Sequence, residues 1–65
     1  MINNFIWKKI KALEKEFDVI IRYEEIRIEK GVYKYNYYVY TKYGKLEFKA
    51  NGFDDLKESL QLYYS

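Results

Sequence analysis

Apolar residues recur near the start of the chain at Ile6, Ile10, Leu13 and Phe17, at spacings of four, three and four, with Ile2 and Phe5 beside the same stripe. That spacing is one face of an α-helix and predicts a helix over residues 2–17. Asn3 or Asn4 supplies its N-cap. Lys8, Lys9, Lys11 and Lys15 fall mostly off the stripe, with Glu14 and Glu16 among them, and read as a solvated face. Trp7 sits beside the stripe, as a core-edge residue or an anchor for a partner.

The period then changes to two. Val19, Ile21 and Tyr23 alternate with Ile20, Arg22 and Glu24, and further on the apolar pair is Ile26 and Ile28. This predicts a strand over residues 18–30 whose phase slips once. A β-bulge at Glu24-Glu25 would keep both halves facing the same way. Lys30-Gly31 is the first turn, and residues 32–43, rich in tyrosine, are the second strand. Tyr43-Gly44 is the next turn. Leu46, Phe48 and Ala50 alternate through a third strand over 45–50, which Asn51-Gly52 ends. Residues 53–63 form a second helix with Phe53, Leu56, Leu60 and Tyr63 or Tyr64 on its apolar stripe. Asp54 and Asp55 complement its dipole in the first turn.

Short turns fix register, and register fixes faces. With Tyr43-Gly44 as a two-residue turn, Thr41 opposes Leu46, Val39 opposes Phe48 and Tyr37 opposes Ala50. With Lys30-Gly31 as the other, Ile28 opposes Tyr33 and Ile26 opposes Tyr35. Beyond the bulge, Tyr23, Ile21 and Val19 come near Tyr37, Val39 and Thr41. Both hairpins put Tyr33, Tyr35, Tyr37, Val39 and Thr41 on the core side. The expected fold is α+β: a two-layer αβββα domain over residues 1–65, with a three-stranded antiparallel meander sheet and two helices on one face.

Composition then narrows the chemistry. A chain of 65 residues that is 49% hydrophobic and 22% aromatic reads as a small folded domain. It has no cysteine and no histidine, which removes disulfides, thiolate metal sites and the commonest general base. No enzyme, no metal site and no cofactor is expected. Asp54 and Asp55 read as helix-start charges, and Ser59 and Ser65 have no base to activate them. Twelve Lys and Arg against ten Asp and Glu give a net charge of only +2. No apolar run is long enough to span a bilayer. The opening segment puts its lysines after its apolar residues, the reverse of a signal peptide, so the expectation is a cytoplasmic protein without a membrane partner.

Function then rests on the sheet face away from the helices. It is expected to carry Ile20, Arg22 and Arg27 from the first strand. Lys34, Asn36, Tyr38, Tyr40 and Lys42 follow from the second, and Lys45, Glu47 and Lys49 from the third. The candidate partner-binding residues are Ile20, Arg22, Arg27, Lys34, Tyr38, Tyr40, Lys42 and Lys49. Tyrosine and arginine at the centre of a polar rim are the anatomy of a protein-recognition surface. Tyrosines among cations can also stack single-stranded nucleic acid, the alternative reading. Cross-strand Tyr–Lys neighbours are good surface sheet formers in their own right. A homodimer closing the open face is a further arrangement the pattern allows.

The order helix-strand-strand-strand-helix resembles the double-stranded-RNA-binding domain. That family's last helix starts with lysines that hold phosphates. Here the matching segment, Gly52-Phe-Asp-Asp-Leu-Lys-Glu58, presents acids instead. The chain also resembles the small accessory proteins of phages and mobile elements, among them anti-CRISPR inhibitors of Cas9-type nucleases. Some of these carry a three-stranded antiparallel sheet with flanking helices. That resemblance implies a non-catalytic binder that blocks a host protein.

Overall fold

The computed structural model describes residues 3–64 of the chain. Helix α1 spans Asn4–Phe17, strands β1, β2 and β3 span Val19–Glu29, Val32–Thr41 and Leu46–Ala50, and helix α2 spans Phe53–Tyr63. The strands make one antiparallel sheet in the order β1-β2-β3, so the fold is α+β as the periodicities predict. Asn3 is the N-cap of α1, its Oδ1 accepting the Ile6 N–H at 2.8 Å. Ile2 lies outside the described residues. At the other end Asp18 takes the left-handed conformation (φ 56°, ψ 50°), and its N–H donates to the Glu14 carbonyl. Aspartate is among the few non-glycine residues that tolerate this geometry. It lets the chain reverse into β1 through a single residue.

One core joins both helices to the same side of the sheet. Ile10 and Leu13 of α1, Leu56 and Leu60 of α2, and Val19, Ile21, Tyr37, Val39 and Ala50 of the strands are buried together. Burying these apolar side chains is the main force holding the two layers. Tyr37 is 2% exposed and meets Phe53 edge-on, with ring centroids 6.3 Å apart. Burial pushes its phenol pKa up. Gly52 caps α2 without a side chain. The Asp55 carboxylate reaches back to accept the Asn51 N–H at 2.9 Å and also takes the Ser59 hydroxyl.

The first turn is Lys30-Gly31 as expected, but the ladder beside it and the second turn differ from expectation, and the difference moves side chains between faces. From Val19 to Arg27 the β1–β2 ladder is unbroken, with Glu25 opposite Tyr35, Ile26 opposite Lys34 and Arg27 opposite Tyr33. The extra residue falls at Ile28, between Arg27 and Glu29, and not at Glu24-Glu25. Turn chemistry accounts for this. A two-residue hairpin closes without a bulge when both central residues have positive φ, or when the first is glycine. Here only Gly31 does (φ 80°), so the ladder takes up its irregularity beside the turn. At the second hairpin the loop is three residues, 42–44, closed by the Gly44 N–H on the Thr41 carbonyl, with Gly44 at φ 92°. Tyr40 therefore opposes Leu46, and the ladder shifts before Val39 meets Phe48. Leu46 leaves the core side and is exposed, while Glu47 accepts the Tyr63 hydroxyl of α2 at 2.6 Å.

The helices cover only part of the sheet. Helix α1 has 14 residues and so spans about 21 Å, whereas the 11 residues of β1 span about 37 Å. The molecule's longest dimension is 37 Å. Trp7, in the second turn of α1, stacks edge-on against Tyr23 at 6.5 Å, which marks where the cover stops. Beyond it, among the described residues, no helix covers the β1–β2 hairpin. Tyr33, expected inside, is 47% exposed there, and Tyr35 is half-buried.

Candidate functional site

The open face is built from residues that oppose one another across the ladders. Ile20 faces Tyr40, Arg22 faces Tyr38, Glu24 faces Asn36, and Ile26 faces Lys34. On the other side Lys49 faces Tyr38 and Leu46 faces Tyr40. Seven of the eight expected partner-binding residues belong to this face or its rim: Ile20, Arg22, Lys34, Tyr38, Tyr40, Lys42 and Lys49. Arg27 does not. With no bulge before it, Arg27 shares the helix-side face with Tyr33 and Tyr35.

Tyr38 is the most constrained side chain there. Its hydroxyl donates to Glu24 at 3.0 Å, and the Lys49 ammonium lies 5.8 Å from its ring centroid. The bond to Glu24 raises the phenol pKa, since ionising it would break that bond and set two anions together. Glu24 opposes Asn36, two positions along β2 from Tyr38, so the ring leans across the asparagine. Asn36 is only 4% exposed, and among the described residues its Oδ1 has no hydrogen-bond partner. Ile20, Arg22, Tyr40 and Gly44 line a shallow depression of about 240 Å³ beside this cluster. Lys42 is drawn to the rim, where its ammonium meets the Asp18 carboxylate at 3.1 Å.

The sequence reading missed Ile26, Glu24 and Leu46 as members of this face. The signal for the first two was the turn, which holds one glycine in its second position and so places the irregularity beside itself. The resulting patch is amphipathic and of mixed charge: Ile20, Ile26, Leu46 and two tyrosines, with Arg22 and Lys49 set against a central carboxylate.

A second concavity of about 200 Å³ lies between the helices, lined by Lys9, Ala12, Leu13, Phe53 and Lys57. Lys9 caps it, with its ammonium 4.4 Å from the Phe5 ring centroid. Among the described residues no acidic cluster could hold a metal ion, and no helix is long and apolar enough to cross a membrane. No protein-family model, no curated protein and no solved structure matches this chain with significance.

Proposed function

We propose that the chain is a small non-enzymatic binding protein that recognises another protein through its open sheet face. The observation that carries this reading is the composition of the face around Tyr38. A row of Ile20, Tyr40 and Leu46 crosses the three strands beside Arg22, and Glu24, further along β1, holds the Tyr38 hydroxyl. Large amphipathic side chains, pre-positioned by hydrogen bonds and rimmed by charges of both signs, suit a protein surface. A platform for single-stranded nucleic acid needs an uninterrupted positive field around its aromatics. Glu24 interrupts that field, Arg27 is turned away from it, and Lys42 is committed to Asp18.

The architectural resemblance gives this reading a specific form, a phage-type modulator of a host protein such as a CRISPR nuclease. The direct test adds the purified chain to a Cas9-type cleavage reaction, with the Tyr38→Ala/Tyr40→Ala variant beside it. Inhibition by the wild type and its loss in the variant support that form. The broader reading is tested by recovering partners from source-cell lysate with both proteins, after circular dichroism confirms that the variant folds. Equal recovery of one partner by both would remove the open face as the site. Titration of a labelled oligonucleotide at about 50 mM salt, where phosphate contacts are strongest, should show no binding.

A further inference from the structure

We propose that the cleft between the two helices is a second recognition site. Its occupant is an acidic segment of a partner protein that presents one large apolar side chain beside a carboxylate. The cleft belongs to the helix layer and does not depend on what the open sheet face binds.

The two helices run side by side in the same direction. Lys9 reaches Phe53 at the start of α2, and Phe17 at the end of α1 meets Tyr64 just past the end of α2. Along the cleft α1 contributes Lys9, Ala12 and Leu13, and α2 contributes Phe53 and Lys57. Leu13 is buried and forms the floor, and Phe53 is half-buried on one wall. Ala12 carries a single methyl group, which helps to leave about 200 Å³ open above Leu13. Phe5, 66% exposed, extends the apolar surface past Lys9.

Charge selects the occupant. The Lys9 ammonium stands between two rings, 4.4 Å from the Phe5 centroid and 5.8 Å from the Phe53 centroid. These contacts hold the cation at the mouth of the cleft. Lys57 stands on the opposite wall from Lys9. The ion pairs between described side chains are Lys11–Glu14 and Lys42–Asp18, so neither Lys9 nor Lys57 meets a carboxylate among them. Two helix acids are engaged with backbone: Glu14 accepts the Ile21 N–H at 2.8 Å, and Asp55 accepts the Asn51 N–H. Asp54 and Glu58 each follow a lining residue by one position, about 100° around α2, and do not line the cleft. Glu16 follows Ala12 by one turn, which leaves the Lys9 end the positive one. An apolar floor under two unmatched ammonium groups is complementary to a ligand that is apolar in the middle and anionic at its edge. Lys9, Ala12 and Lys57 are exposed, so the cleft is open along its length. An alkyl chain lying there alone would stay largely in water. A protein segment covers the side chain it inserts, and so excludes water from the contact.

Chemical-shift mapping by nuclear magnetic resonance at low salt tests the site, with the blocked tripeptide glutamyl-phenylalanyl-aspartate as probe. The amides of Lys9, Ala12, Leu13, Phe53 and Lys57 should shift together, with a millimolar Kd. Lys9→Gln/Lys57→Gln should weaken binding about tenfold through the loss of two exposed ion pairs. Ala12→Leu should abolish it by filling the cleft, with an unchanged circular dichroism spectrum, because leucine is a good helix former. Tyr38→Ala/Tyr40→Ala should bind the tripeptide as the wild type does, which separates failure of this site from failure of the open face. No shift at the cleft with about 10 mM tripeptide, enough to fill a millimolar site, overturns the proposal. Undiminished binding by the folded lysine or alanine variant overturns it too. So does equal binding of the uncharged glutaminyl-phenylalanyl-asparagine probe. Stronger shifts of the same amides with octanoate or a short oligothymidylate would make the cleft a lipid or nucleic-acid site instead.

Discussion

Next to the helices, β1 and β2 bury Val19, Ile21, Tyr37 and Val39. Further along, the same two strands leave Ile28, Val32 and Tyr33 in water. The two halves of this hairpin are alike in composition and continuous in hydrogen bonding, yet different forces set their register. In the covered half a one-residue slip would carry apolar side chains out of the core, so burial holds the pairing. In the bare half no such cost exists, and the turn decides. Ile26 and Ile28 show the result. Their spacing suggests an inward face, but no helix lies over them to reward it.

The sharpest way to break this comparison is to truncate one apolar residue in each half. Leu60 is fully buried against the sheet. Leu60→Ala should cost about 2–5 kcal/mol, enough to leave so small a domain largely unfolded. Ile28→Ala should stay within about 0.5 kcal/mol. Urea unfolding at low protein concentration measures both. Similar losses at the two sites would mean that the bare half carries core-like packing.

Edge protection gives the next contrast. Glu14→Ala removes the acceptor for the Ile21 amide and should cost about 1.5 kcal/mol, as expected for a hydrogen bond to a charged group. Hydrogen exchange should show the Ile21 amide losing protection. A smaller effect of opposite sign is expected at Asn36, whose buried carbonyl oxygen lacks a partner among the described residues. Asn36→Val should raise stability by about 1 kcal/mol, because it removes an unmet hydrogen bond and adds a good strand former. A destabilised variant would show that the side chain is bonded in solution.

How much was legible in the sequence follows the same division. Helix stripes and strand alternation locate each element to within about two residues, because burial writes them into the pattern. Tyr37, Val39 and Ala50 were readable as core, and Tyr38 and Tyr40 as the opposite face, since a covered strand admits one register. Arg27, Ile26, Leu46 and Glu47 were not, because each lies next to a turn where no buried face constrains the chain. Their placement depends on loop length and on which turn residue takes positive φ. One residue of error there reverses a side chain. The burial of Asn36 depends on Tyr38 leaning toward Glu24, a rotamer choice that alternation does not encode.

The smallest expected effect compares two tyrosines on one face, either side of the boundary between the halves. Tyr37 is raised chiefly by burial. Tyr35 is raised to about 12, first because its hydroxyl donates to Glu25 at 2.8 Å and then by partial burial. Both folded values lie above the ordinary phenol value of 10.0, so the fold favours the neutral forms. Their contribution to stability is complete below about pH 10 and is lost as pH rises above it, for Tyr35 through about 12. Thermal melts should be flat up to the lower limit and should fall across that window. Because Tyr35 is held by a bond at the surface, most of the fall belongs to Tyr37. Glu25→Gln separates the two. Nuclear magnetic resonance titration of the tyrosine rings should show Tyr35 returning toward its ordinary value while Tyr37 stays raised. If Tyr37 falls with it, the two halves of the hairpin are electrostatically coupled and the boundary at Tyr23 is not where their behaviour divides.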